Sequence, residues 1–407
     1  MRLVISFAAL FLSVSFVQLG SGALGPLDAL SGMAAGFSTT QIGLLGSAHF
    51  AGFFVGCWLA PRMLGSVGHI RAFAAFAAVG AIGAIAHPLL VDPLAWSALR
   101  VMTGFAVAGA YTVIEVWINA KVTNATRGRV LGAYRVVDLG ASLVSQAMIG
   151  FLQPASYVSY NIVAILCCMC LIPLTLTRLP QPETPAAPRL RPMAAIRLSP
   201  LAVAGVMIAG FTNPSFRMVG PVYAAEIGLT PGQIGIFLGA SILGGALSQI
   251  PVGWIADKMD RRVVLIGVSA LALAVCTMLT WYAPRGTDAY LAALVFGFVT
   301  LPLYSLSTAH ANDFAQPHEM TELNASLLFL YGIGAIVAPL MASALIAGLG
   351  SSALFGMIGA AHGVLILFGL WRMTRRPGPR PRTAYSYVPR TSAMIGRLMR
   401  RRRADGG

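Results

Sequence analysis

The chain has 407 residues, 57% of them hydrophobic and only 10% charged, with a formal net charge of +15. Soluble domains carry about 25% charged residues, so neither a water-soluble protein nor a soluble enzyme on one membrane anchor fits. A membrane β-barrel is excluded as well, because the apolar residues run unbroken instead of alternating along strands of about ten residues.

In chain order the apolar runs are 3–30, 39–61, 69–90, 95–119, 130–152, 158–178, 199–226, 233–256, 263–283, 288–311, 323–348 and 351–373. Each can supply a spanning helix of about 20 residues, so the expected fold class is an all-α membrane protein with twelve transmembrane helices. A cytoplasmic N-terminus puts 25 of the 28 basic residues on the inner side, from Arg2, Arg62 and Arg71 to the tail cluster Arg400 to Arg403. The outer loops then hold only Arg285, and Arg100 and Arg217 are stranded inside helices. Lysine and arginine retained on the cytoplasmic side set orientation. The positive charge therefore reports topology, with both termini inside, and does not point to nucleic acid. One inner loop breaks the pattern, since 313–322 carries Asp313, Glu319 and Glu322 and no base. The first run has the outline of a cleavable signal peptide, but its removal would leave eleven spans and spoil the symmetry that follows.

Internal repetition fixes the architecture. Gly36-Phe-Ser-Thr-Thr-Gln41-Ile-Gly43 recurs as Gly228-Leu-Thr-Pro-Gly-Gln233-Ile-Gly235, an offset of 192 residues. Gly25-Pro26 recurs as Gly220-Pro221 and Trp58-Leu-Ala60 as Trp254-Ile-Ala256. Gly104-Phe105, Tyr111 and Asn119 recur as Gly297-Phe298, Tyr304 and Asn312, all at 193. The expected organisation is a six-helix bundle over 1–178, a Pro-rich cytoplasmic linker over 179–197, a second six-helix bundle over 198–374 and a basic cytoplasmic tail over 375–407. The bundles are parallel repeats.

Two six-helix halves joined in the cytoplasm resemble the major facilitator superfamily. After the eighth run stands Gly253-Trp-Ile-Ala-Asp257-Lys-Met-Asp260-Arg261-Arg262, similar to that family's loop signature except for Asp260, where glycine is usual. An acid flanked by bases at the cytoplasmic mouth can form a charge cluster that holds one conformation and releases in another. Gly253, Asp257, Arg261 and Arg262 are thus expected gating residues, with a positive-inside anchor as the plainer reading. The first-half counterpart has Ala60-Pro61-Arg62 and no acid. Gly68-His-Ile-Arg71, Glu115-Val-Trp-Ile-Asn119, Thr126-Arg-Gly-Arg129 and His310-Ala-Asn-Asp313 look like the poorly characterised YcaD-like branch of the superfamily. The resemblance implies a secondary active transporter that rocks two halves around a midplane site.

Charged and polar residues within the runs are the candidate site. Arg100, in Leu99-Arg100-Val-Met-Thr-Gly104, is similar to a family motif tied to proton coupling, and an ion pair or outward snorkelling is the alternative. Glu115 lies at a depth that falls near Arg135 on the antiparallel fifth helix, where Asp138 shares the face of Arg135 by i,i+3 spacing. Glu115 is with Asp138 a candidate proton-coupling residue, and a neutralised structural cluster of Glu115 with Arg135 is the plainer reading. Asp138 lies deeper and is expected to lack its own base. Burial disfavours a lone carboxylate, which suits Asp138 to carry protons. Asn213 and Arg217 share a face of the Pro214-containing seventh run, and Gln18, Gln249, Tyr111 and Tyr304 fall in helices that bear on the solute path in this superfamily. The tyrosines suit an aromatic or amphipathic solute, although aromatics at helical spacing commonly serve packing. His310, close to the inner end of the tenth run, is expected to act in gating.

No GxxxxGK[ST] loop, nucleophile elbow or HExxH helix occurs, so neither an enzyme nor ATP-driven transport is expected. Cys57, Cys167, Cys168, Cys170 and Cys276 sit in apolar runs without ligand spacing, so neither a metal nor a cofactor is expected. Pro182-Glu-Thr-Pro185 is similar to a sugar-porter signature but lacks the arginine that follows it, and fits a Pro-rich linker better. Only two of the basic residues are lysine, which with abundant alanine and glycine suggests a GC-rich bacterial genome and hence the cytoplasmic (inner) membrane. The expected partners are a small-molecule substrate, a proton and membrane lipids, without nucleic acid, and the chain is expected to work as a monomer. Gly140 and Gly150 stand without the proline of a drug-efflux motif on the fifth run, which favours proton-coupled uptake of a nutrient, aromatic or vitamin-like, such as a flavin. Drug or metabolite efflux, and a transporter-like receptor or scaffold, remain the alternatives.

Overall fold

The computed structural model describes residues 2–122, 126–176, 190–282, 284–316 and 319–375. The greater part of the expected linker, 179–189, and the tail from 376 onward lie outside these residues. The described residues form α-helices and short 3-10 turns, and no strand occurs among them. The helices are α1 (Arg2–Ala34), α2 (Thr39–Val67), α3 (His69–Ile85), α4 (Pro93–Lys121), α5 (Arg127–Ala147), α6 (Tyr157–Met169) and α7 (Leu171–Thr175). They continue with α8 (Pro192–Leu198), α9 (Pro200–Glu226), α10 (Pro231–Lys258), α11 (Arg261–Trp281), α12 (Thr287–Thr300), α13 (Leu303–Asn312), α14 (Met320–Leu349) and α15 (Ala353–Arg375).

Among the described residues, ten helices, counting α6 with α7 and α12 with α13 as single spans, are long and apolar enough to cross a membrane, and the bent pair α8 and α9 brings the number to eleven. Of the twelve expected runs, the one outside this set is α5. The reason is chemical: α5 carries Arg127, Arg129, Arg135, Asp138 and Gln146 within 21 residues. The expected linker also contains an unforeseen helix, α8, bent by 120° from α9. Pro192 and Pro200 each occupy a first helical position, where a missing N–H costs nothing, and Ser199 between them is not helical. Leu301-Pro302 likewise divides one expected run into α12 and α13, because proline cannot donate to the helix ladder.

The chain divides into two compact units, one built on α1, α2 from Ala48 onward and α3 to α7, the other on α8 to α15 together with Ser38–Ser47. In the first, α1 packs against α5 and α3 against α6; in the second, α9 packs against α14 and α11 against α15. These are the same pairings one repeat apart. The first core gathers Leu10, Phe73, Phe76, Val113 and Trp117, and the second centres on Phe216, whose ring lies 4.6 Å from Phe296 and 5.4 Å from Phe237. Large apolar side chains such as Phe151, Ile250 and Trp281 are more than four-fifths exposed, an arrangement stable only against lipid.

The repeated sequence is a repeated local structure. Gly36 and Gly228 have φ of +80° and +86°, a left-handed turn that glycine adopts without strain. Two residues on, Ser38 and Thr230 stand at helix N-caps. The Ser38 N–H donates to Gln41 Oε1 at 2.8 Å, the Gln41 N–H to Ser38 Oγ at 3.3 Å, and the Thr230 N–H to Gln233 Oε1 at 2.9 Å. These are capping boxes, which explains why glutamine recurs at that spacing. Farther along, a Cβ at Gly52 or Gly104 would strike the backbone carbonyl of Val101 or His49, and at Gly244 or Gly297 that of Leu294 or Ser241. Both units thus hold a helix pair in backbone contact, α2 on α4 and α10 on α12, where only glycine fits.

Candidate functional site: three buried charge clusters

In the first unit a polar network joins α1, α4 and α5. The Tyr111 hydroxyl lies 2.9 Å from Asp138 Oδ1 and also contacts Gln18 Oε1. Arg135 Nη1 donates to Asp138 Oδ2 at 3.2 Å, with the two side chains 19% and 18% exposed. The expectation that Asp138 lacks its own base is therefore corrected. The i,i+3 spacing that put both residues on one face also put them within reach of each other. Glu115, one turn below Tyr111, is buried and accepts from the Tyr134 hydroxyl at 3.2 Å. The Arg135 guanidinium lies 5.2 Å from the Tyr134 ring centroid, so the two halves of the network meet at Tyr134 and Arg135.

Hydrogen counting gives this network two states. A hydroxyl carries one proton, so Tyr111 cannot serve Gln18 Oε1 and an ionised Asp138 together. Either a protonated Asp138 donates to Tyr111 while Tyr111 donates to Gln18 Oε1, or Gln18 turns its amide so that Nε2 donates to Tyr111 and Tyr111 donates to the carboxylate.

A second cluster in the same unit was missed by the sequence reading. Asp28 of α1 has Arg100 Nη1 at 3.3 Å and His87 Nε2 at 3.4 Å, both on Oδ2, and every one of these side chains is at most 2% exposed. His87 Nδ1 lies 2.6 Å from the Gly83 carbonyl. A carbonyl only accepts, so Nδ1 is the donor. The His87 ring stacks on Tyr160 at 5.1 Å and 9°, with the edge of Trp96 at 5.1 Å. Trp96 Nε1 donates to the His87 and Leu90 carbonyls, both at 3.0 Å. A depth count would have found the pair. Asp28 lies six residues before the end of α1 and Arg100 seven after the start of α4, about 9 and 10 Å from the same end at 1.5 Å per residue.

The third cluster, in the second unit, is built on the loop signature. Arg261, 1% exposed, has Nη2 at 3.1 Å from Asp257 Oδ1 and Nη1 at 2.5 Å from Asp313 Oδ1, and Nη1 also donates to the Ala309 carbonyl at 3.0 Å. The acid-only loop is thereby explained, because Asp313 neutralises a base from α11 and Glu322 lies 3.5 Å from Arg191. Asp260, the residue that departs from the signature, caps α11 through the Arg262 N–H at 3.0 Å and pairs with the Arg262 guanidinium at 2.6 Å. His310 is buried against the edge of Phe314 at 5.2 Å, and Gly253 is buried within α10.

The remaining expected residues fall outside these clusters. Tyr304 is buried, edge-on to Tyr331 at 5.2 Å. Asn213 is buried in α9, which runs on through Pro214 and Pro221, and Arg217 on the same helix is exposed. Gln249 Nε2 donates to the Gly245 carbonyl of its own helix at 3.2 Å.

A duplicated set of apolar helices with paired charges inside each repeat defines a multi-pass membrane transporter of the two-repeat kind. Residues 201–403 match the Major Facilitator Superfamily. Over 353 residues, 85% of this chain and 90% of that protein, the chain is 27% identical to the uncharacterized MFS-type transporter YcaD of Salmonella typhi. The structure superposes on the nucleoside transporter NupG with a TM-score of 0.73 at 15% identity, covering 90% of this chain and 99% of NupG. On a D-xylose-proton symporter the TM-score is 0.67 at 15% identity, covering 96% and 99%. The chain belongs to the major facilitator superfamily.

Proposed function

We propose that the protein is a proton-coupled importer of a small organic solute in the cytoplasmic membrane of a bacterium, with both termini in the cytoplasm and residues 1–178 and 198–374 as its working repeats. The observation that carries this reading is the Asp138 network. Its two hydrogen-bond patterns differ by one proton, and the exchange reaches Gln18 and Tyr111 on two other helices. A solute group that hydrogen-bonds Gln18 or Tyr111 selects one pattern, so solute binding and proton binding share the same few atoms. This is the physical requirement of symport. The symport activity named for the xylose neighbour is consistent with it.

Gln18 and Tyr111 in the first repeat, and Asn213, Arg217, Gln249 and Tyr304 in the second, are our proposed solute contacts. An aromatic, vitamin-like solute suits the tyrosines, and the nucleoside named for NupG has the same blend of a flat ring and hydroxyls. Asp257, Arg261, Arg262 and His310 are assigned to the gate, with Gly253 beside them in α10. Arg100, fixed against Asp28, is assigned to the scaffold. Glu115 is assigned to tuning Tyr134 and Arg135 beside the proton site.

The test is uptake into proteoliposomes from a pool of labelled nucleosides, flavins and sugars under an imposed inward proton gradient. Accumulation that collapses with a protonophore is expected. Export under the same gradient would replace this reading with proton-antiport efflux, and no flux of any solute would leave a receptor or scaffold.

A further inference from the structure

At the end of the second unit where α9 begins lies a recess of about 280 Å³, counting the solvent at its mouth, lined by Ser199, Leu201, Arg262, His310, Phe314 and Arg372. We infer that it binds a phosphate group. The floor is the N-terminus of a 27-residue helix, whose opening N–H groups have no carbonyl of their own helix to bond and carry the positive end of its dipole. Ser199 stands at the N-cap and makes no capping bond. Its hydroxyl is buried, 3% exposed for the residue, and has no hydrogen-bond partner. A buried hydroxyl left unsatisfied costs free energy, and an anion seated in the recess supplies the missing acceptor.

The charge balance agrees. Arg262 is offset by Asp260 at 2.6 Å, while Arg372 makes no ion pair among the described residues and has only the Trp371 ring beneath it at 5.6 Å. The recess therefore keeps about one full positive charge together with the helix terminus, and the planar donor fork of Arg372, which suits phosphate oxygens. By the distribution of arginine and lysine this end faces the cytoplasm. A phosphate there can come from the headgroup of an anionic phospholipid or from a free phosphate or phosphorylated metabolite.

The experiment uses the full chain and two probes. In detergent, inorganic phosphate is titrated at constant ionic strength and the unfolding midpoint followed, with chloride as the control. In nanodiscs of zwitterionic lipid doped with phosphatidylglycerol, retained lipid is counted by native mass spectrometry. For one source at least, the wild type is expected to respond, with binding weakened about ten-fold in Ser199→Ala and in Arg372→Gln, the effect of losing one hydrogen bond to a charged group, and partly restored in Arg372→Lys. A response to phosphate alone identifies a soluble ligand, and one to phosphatidylglycerol alone a lipid. No response to either probe, or responses equal in wild type, Ser199→Ala and Arg372→Gln, overturns the inference. Ser199→Ala, which removes one oxygen, decides the matter if Arg372→Gln fails to fold.

Discussion

Asp28 and Asp138 are both carboxylates on membrane helices of the first unit, each facing an arginine at 3.2 to 3.3 Å, yet their surroundings give them opposite uses. Asp28 is sealed at 2% exposure between Arg100 and His87, under the rings of Trp96 and Tyr160. Asp138 is 18% exposed and shares a tyrosine hydroxyl with a neutral amide. A carboxylate that must exchange protons needs a path and a second hydrogen-bond arrangement of similar energy. Asp138 has both. Asp28 has neither a path nor slack, and its charges are held by partners that would be stranded without it. The comparison teaches that an intramembrane ion pair is a functional signal only when its neighbours can rearrange around a changed proton count.

The largest expected effect sharpens the sealed side. Asp28→Asn leaves Arg100 buried without its counter-charge, a loss of about 3–5 kcal/mol, which should appear as poor membrane yield and a lowered unfolding midpoint in detergent. Adding Arg100→Gln to the same chain should recover much of that stability. Next, Asp138→Asn should abolish proton-driven uptake in proteoliposomes and leave counterflow exchange intact, with the unfolding midpoint close to wild type. Equal loss of uptake and counterflow, or destabilisation like that of Asp28→Asn, would erase the distinction between the two sites. Tyr111→Phe removes the shared hydroxyl and keeps the Arg135–Asp138 pair. Coupled uptake should fall about ten-fold, the worth of one hydrogen bond to a charged group, and its pH profile should move while counterflow persists. Smallest of all, His87→Gln should lower stability by about 1 kcal/mol and leave coupled uptake unchanged, as read from unfolding and flux on the same preparation.

Much of this was legible in the sequence. Hydropathy located the helices because a membrane demands long apolar runs, and the 192-residue echo of Gly36 to Gly43 at Gly228 to Gly235 exposed the duplication, since a capping box needs fixed residues at fixed spacing. Arg135 and Asp138 were placed on one face by helix geometry alone. What the sequence reading missed depends on which faces meet. Asp28 drew no attention because nothing in a run of leucine and alanine says which helix it touches. Asp313 looked like a topological anomaly until Arg261 was seen to reach it. Tyr111 and Tyr304, equivalent by repeat, turned out to occupy a polar network and an aromatic pair, because their neighbours have diverged although their positions have not. The helix α8 escaped notice because its proline and arginine content reads as linker until Pro192 is seen to open a helical turn.

The glycines at Gly52 and Gly104, and at Gly244 and Gly297, have a mechanical consequence. Where side chains interlock, two helices can shift only by unpicking rotamers, and the contact behaves as a ratchet with discrete stops. Where bare backbone lies on bare backbone, there are no teeth to disengage. The α2–α4 and α10–α12 contacts are such smooth bearings in equivalent places, the second unit adds another where Gly210 and Gly334 bring α9 against α14, and a small slip along any of them would tilt its helices without loosening the core behind them.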